Sequence, residues 1–205
     1  MRTKPGLTAG KVVAAAAELA DREGSGALTL AALAAKLRVK PPSLFNHVSG
    51  MTALRRALRV LALRELGDAM SAAAIGRSRG DAIRALGQAY RQFARRRPGI
   101  YAEMVGSGDG DNPEDSEVGA QAARIVAICV SALAGYGLSP RDEVHAIRAL
   151  RSLAHGFATL ESGAGFGIPI APDESYDWML ETFIRGLEAG RVPARTRRQA
   201  NARQG

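Results

Sequence analysis

Residues 29 to 48, TLAALAAKLRVKPPSLFNHV, decide how this chain is read: a helix, a tight turn and a second short helix. Thr29 is a good N-cap, and Leu30, Leu33, Ala34 and Leu37 form an apolar stripe at helical spacing. Arg38 and Val39 break the run. Pro41 and Pro42 then stand where a second helix begins, a place where a missing N–H costs little. Leu44 and Val48, four apart, point that helix back at the core. Lys40, Ser43, Asn46 and His47 are left facing outward. A short helix that presents small, polar and basic side chains while packed across a partner helix suits a DNA major groove. The segment predicts a helix-turn-helix.

Working outward, nearly everything else also reads as helix. A long first helix runs from Thr8 to Arg22. Another follows the motif from Met51 to about Ile75, with Leu54, Leu58, Leu61 and Ala62 on one face. After a break at Gly76 to Gly80, a helix over Asp81 to Arg97 carries Ile83, Leu86, Tyr90 and Phe93 at burial spacing, and Pro98-Gly99 stops it. Ile100 to Val105 gives one or two further turns. Residues 106 to 115, GSGDGDNPED, read as a solvated loop that lacks the ordered ligand positions of an EF-hand. Three helices follow: Ser116 to Tyr136, Arg141 to about Glu161, and Glu174 to Ala189. No strand-like alternation is long enough to suggest a sheet.

Charge divides along the chain. The net is +8, but residues 1–60 hold ten Lys/Arg against three Asp/Glu, and residues 61–190 hold thirteen against seventeen. The last fifteen residues add five arginines and no acid. Positive charge confined to the ends suggests one DNA-binding end and a larger domain with another task, not non-specific coating of nucleic acid. The expected domains are therefore 1–50 for DNA, 51–190 for effector binding and dimerisation, and 191–205 as a basic, disordered tail.

The order and spacing over roughly the first 50 residues resemble the N-terminal domain of TetR-family transcriptional regulators. Three positions depart from that family's usual pattern. Arg38 stands where the family has Gly in the turn, so a left-handed backbone there carries strain. Phe45 replaces a Tyr and so lacks its hydroxyl, and Met51 replaces a Lys. A second stretch, LRSLAHGFATLESGAGFG, is similar to the effector domain of a subgroup named for a Trp-His-Gly tripeptide. His155-Gly156 is present, with Ala154 in place of the Trp.

The resemblance implies an all-α protein with an N-terminal three-helix domain and a C-terminal helical bundle that forms a dimer interface and a ligand cavity. It implies a ligand-responsive repressor on a pseudo-palindromic double-stranded DNA operator. A DNA-binding protein without an effector, and an activator of the same fold, stay open. The expected DNA-binding residues are Thr29, Lys40, Pro41, Ser43, Leu44, Phe45, Asn46 and His47. Asn46 suits adenine, His47 suits guanine or phosphate, and Lys40 and Ser43 suit phosphate. Arg2 and Lys4 form a short basic arm.

His145, Arg148, Arg151 and His155 recur along one helix at three- and four-residue steps. They either line an effector cavity or serve as structural groups, pairing with acids such as Glu161 or lying near a subunit interface. The expected effector residues are Tyr101, Met104, Arg151, His155, Phe157 and Trp178. The homodimer is expected through the last two long helices, with Leu150, Leu153, Leu180, Phe183 and Leu187 as contributors. No cofactor or metal motif is found. Cys129, the only cysteine, has apolar neighbours and reads as packing. There is no G-x-S-x-G elbow, no phosphate-cradling loop and no H-E-x-x-H pair, which argues against an enzyme. No apolar run approaches the ~20 residues of a membrane span. Met1 to Gly10 lacks the apolar core of a signal peptide, and a reducing cytoplasm is the expected setting.

Overall fold

The protein is seen here as a computed structural model that describes residues 6–105 and 116–190. The arm at Arg2 and Lys4, the 106–115 loop and the 191–205 tail lie outside the described residues. Within them the fold is all helical, with eight α-helices, three short 3-10 turns and no strand. The helices are α1 (Ala9–Glu23), α2 (Leu30–Leu37), α3 (Met51–Ala74), α4 (Arg79–Arg96), α5 (Pro98–Val105), α6 (Ser116–Leu133), α7 (Pro140–Ser162) and α8 (Pro172–Ala189).

Local chemistry sets the helix ends. Thr8 caps α1 by accepting from the Lys11 N–H at 3.3 Å, and Gly24, at φ 89°, ends it. Ser139 caps α7 by accepting from the Asp142 N–H at 3.2 Å. Pro140 and Pro172 occupy the first positions of α7 and α8, so those helices begin one and two residues before the expected Arg141 and Glu174. Asp142 and Glu143, like Asp173 and Glu174, place negative charge in the first turn, where the helix dipole favours it.

The chain packs as two compact units that are discontinuous in sequence. One combines residues up to Asp68 with Gln92–Ile125, and the other combines Ala69–Arg91 with residues from Val126 on. The expected boundary at residue 50 therefore falls inside the first unit. There α1 packs on α2 and α5. Val12, Ala16, Leu19, Leu33, Leu44, Leu54, Leu58 and Ile100 make its core. Burial of such side chains is the main favourable contribution to folding, about 1.5–3 kcal/mol for each large one.

In the second unit the core is built from Ile83, Leu86, Leu133, Tyr136, Leu150, Phe157, Tyr176, Leu180 and Ile184. A Cβ on Gly87 would lie 2.7 Å from Leu180 Cδ2, so α4 and α8 approach closely there. The Tyr176 hydroxyl donates to the Gly87 carbonyl at 2.6 Å and closes the same contact. Leu150 and Leu180, expected at a subunit interface, are core residues of their own chain. Leu153, Phe183 and Leu187 remain half-buried.

One expectation about membranes needs correction. The stretch Glu117–Tyr136 is long and apolar enough to cross a bilayer by length and composition, because alanines dominate it and charges are few. Only 17% of its most apolar window is buried. Arg124 in its middle pairs with Asp68 at 2.8 Å.

Candidate nucleic-acid interface

The helix-turn-helix is assembled by caps and a handful of buried anchors. The Thr29 side chain accepts from the Ala32 N–H at 3.1 Å, which starts α2. Leu33 and Ala34 seat the helix on the core. At its end Arg38 adopts the left-handed conformation anticipated for the turn, φ 55° and ψ 44°. Lys40 is extended, and Pro41 to Leu44 then form a 3-10 turn rather than a full α-helix. Two adjacent prolines supply no N–H, so the segment closes on bonds from Ser43 to the Lys40 carbonyl at 2.9 Å and from Val48 to the Leu44 carbonyl at 3.0 Å. Leu44 is fully buried at 0% exposure. It anchors the turn and is removed from the set of residues able to meet DNA.

Around that anchor the other expected residues divide. Thr29, Lys40, Pro41, Phe45 and Asn46 are exposed, and Phe45 presents 58% of its surface without an internal reason to do so. Ser43 and His47 are half-buried, flanking the buried Leu44 and Val48. The outward set is thus basic, polar and aromatic, on a rigid turn. That combination suits phosphate contact through Lys40 and base-edge contact through Asn46.

Sequence reasoning missed the polar framework that mounts this head. Asp21 on α1 accepts the Gly99 and Ile100 N–H groups at 2.9 and 3.1 Å, capping α5 from another helix. Arg97 lies 3.2 Å from both Asp21 and Glu65. Glu103, buried on α5, accepts from Arg55 Nη1 at 2.8 Å and from the Ser25 hydroxyl. A Cβ on Gly99 would come within 2.1 Å of the Ala20 carbonyl carbon, so α1 and α5 touch backbone to backbone. No local sequence signal marks these pairs, which join residues 32 to 79 positions apart.

The expected effector residues fall in two different units. Tyr101 and Met104 are buried in the first unit, with Tyr101 edge-on to Phe93 at 6.5 Å. In the second unit Arg151 is exposed, Trp178 is 68% exposed and His155 is half-buried. Phe157 is buried against Phe166 and Tyr176, with ring centroids 4.7 and 4.8 Å away. Glu161 does not serve Arg151. It binds Arg91, a residue the sequence reading passed over, through Nε and Nη2 at 2.9 and 2.5 Å. Arg91 also reaches Asp173 at 2.8 Å and lies over the Phe157 and Tyr176 rings at 5.1 and 4.7 Å. The Glu161 hydrogen bonds raise its pKa above the usual guanidinium value, against the opposing effect of burial. Its position four residues after Gly87, beside Tyr90 on the buried side of α4, was the available signal. No group of three metal-ligating side chains occurs among the described residues.

Comparison with known proteins agrees with this geometry. The profile of the tetracyclin repressor-like C-terminal domain matches residues 83–183. An uncharacterised helix-turn-helix-type transcriptional regulator of Bacillus subtilis, YobS, is 36% identical over 188 residues, covering 91% of this chain and 96% of its own. The chain belongs to the TetR family of transcriptional regulators. A second relative, the uncharacterised regulator Rv0681 of Mycobacterium tuberculosis, is 35% identical over 183 residues, covering 89% of this chain and 82% of its own. Among solved structures, a TetR variant from Acinetobacter baumannii in complex with minocycline superposes with a TM-score of 0.68 at 23% identity, over 91% of this chain and 99% of that one. This TetR-family regulator carries Ala154, almost fully buried, where the Trp-His-Gly pattern has its Trp.

Proposed function

We propose that this TetR-family regulator is a dimeric, effector-responsive repressor that acts in the cytoplasm on a pseudo-palindromic operator. Residues 1–50 bind DNA, and residues 51–190 dimerise and receive the effector. The observation that carries the reading is the turn at Pro41–Leu44, where a buried Leu44 fixes exposed Lys40, Phe45 and Asn46 on a rigid mount. One such turn touches too few base pairs to select a site, so two act across a two-fold axis.

Dimerisation is supported by apolar side chains that α7 and α8 leave outside their own core. Val144, Leu160 and Trp178 are exposed there, and Leu153, Phe183 and Leu187 are half-buried. Trp178 thus fits a subunit contact better than an effector site. The minocycline complex of the Acinetobacter protein supports a small-molecule effector for this fold. Half-buried His155 is the polar anchor proposed for it here. Effector binding weakens DNA binding to the extent that the ligand prefers the conformation whose two turns no longer match the grooves.

The test is selection of duplexes from a random library by the full-length protein, followed by stoichiometric titration. The reading expects an inverted repeat with half-sites about 34–36 Å apart and two chains per repeat. Enrichment of no sequence contradicts it.

A further inference from the structure

Arg38 holds a left-handed backbone, φ 55° and ψ 44°, in the turn that leads from α2 to Lys40. Glycine adopts that conformation freely, whereas a residue with a Cβ is strained in it. The turn itself has no use for an arginine. Its closing bonds are main-chain, from the Val39 N–H to the Ala34 carbonyl at 3.0 Å and from the Arg38 N–H to the Ala35 carbonyl at 3.1 Å.

Nor does the side chain recover the strain inside the fold. Arg38 is exposed, and its guanidinium makes no hydrogen bond or ion pair with any described residue. Lys36, two residues earlier, differs: it is engaged by Glu18 at 3.0 Å. Val39 turns inward and is half-buried, while Arg38 and Lys40 on either side are exposed. Two uncompensated cations therefore leave one rigid turn, next to outward-facing Phe45 and Asn46. Strain retained at such a place is accounted for when the side chain has a partner outside the chain.

We propose that Arg38 is a DNA-phosphate contact, a free guanidinium held beside Lys40 by its left-handed backbone. The assignment rests on the DNA-binding reading above and adds a second cation to its electrostatic footprint. A guanidinium fork pairs with phosphate oxygens in a bidentate manner, which gives the position orientation as well as charge.

The experiment measures binding of full-length wild type, Arg38→Gly and Arg38→Lys to a random-sequence DNA duplex over a series of NaCl concentrations. Random DNA is sufficient, because phosphate contacts act regardless of sequence. Arg38→Gly is expected to make the slope of log K against log salt shallower by about 0.9 per bound chain. The same variant is expected to melt about 2–4 °C higher, since the strain is gone. Arg38→Lys keeps the wild-type slope. An Arg38→Gly slope equal to wild type overturns the assignment, and so does an Arg38→Lys slope that falls as far as that of Arg38→Gly. A wild type without salt-dependent affinity for the duplex contradicts the DNA-binding reading itself, and this assignment with it.

Discussion

Arg91 and Glu161 meet through two hydrogen bonds, Nε to Oε2 at 2.9 Å and Nη2 to Oε1 at 2.5 Å, and the arginine is only 3% exposed. The pair fastens α4 to α7, and Asp173 extends the fastening to α8. A buried guanidinium that loses its main partner keeps its desolvation cost. Glu161→Ala is therefore expected to lower stability by about 3–5 kcal/mol in urea unfolding. Asp173 has a side chain 75% exposed, so Asp173→Ala is expected to lower it by less than about 1 kcal/mol. Equal losses in the two variants contradict this ranking.

Two glycines should respond oppositely to alanine. At Gly99 the added methyl enters the Ala20 backbone, which forces α1 from α5 and costs about 3 kcal/mol or more. Gly156 lies within α7 with nothing within 4 Å of an added Cβ. Gly156→Ala is expected to gain about 0.5–1 kcal/mol from helix propensity, read as a higher Tm.

Burial pushes the Cys129 thiol up to about 11 from its ordinary value of 9.0. The native thiol stays protonated at pH 8 and is expected to resist a disulfide reagent until the protein unfolds. The folded state holds this proton more tightly than the unfolded chain does. Its stabilising contribution is whole below pH 9, declines as pH rises, and is lost above about 11. Fast stoichiometric labelling of native protein at pH 8 contradicts this account.

Trp178 gives a test of assembly that leaves the fold intact. With 68% of its surface outside its own chain, Trp178→Glu costs the single chain little. At a subunit contact the same change buries an unpaired charge, and association is expected to weaken by at least tenfold in light-scattering titrations, toward monomer. An oligomeric state identical to wild type removes Trp178 from the interface.

Much of the architecture was legible because helix signals are local. Thr29 caps α2 as read, and the apolar spacing over α4 and, but for half-buried Leu61, over α3 matches what is buried. Arg38 and Lys40 were readable for the same reason, since turn geometry depends on adjacent residues. Pro41-Pro42 marked a start correctly but concealed that only a 3-10 turn follows. The polar partners were not legible. Asp21 with Gly99, Glu103 with Ser25 and Arg91 with Glu161 depend on how distant helices pack, and periodicity carries no record of that. For Arg151 and Trp178, spacing placed them on a helix, but exposure was decided by which face met neighbours.

Lys40 and Asn46 divide the work of the proposed interface between affinity and choice of sequence. Lys40→Ala is expected to weaken binding to every duplex and to flatten the salt dependence by about 0.9 per chain. Asn46→Ala is expected to leave binding to random DNA unchanged.

The most direct measurement is the affinity of wild type and Asn46→Ala for the selected duplex and for a scrambled duplex of the same length at one salt concentration. The account predicts that wild type prefers the selected duplex and that Asn46→Ala loses about 1–3 kcal/mol of that preference per base contact. Equal affinity of wild type for both duplexes, or equal loss on both by Asn46→Ala, contradicts the claim that this turn reads DNA sequence.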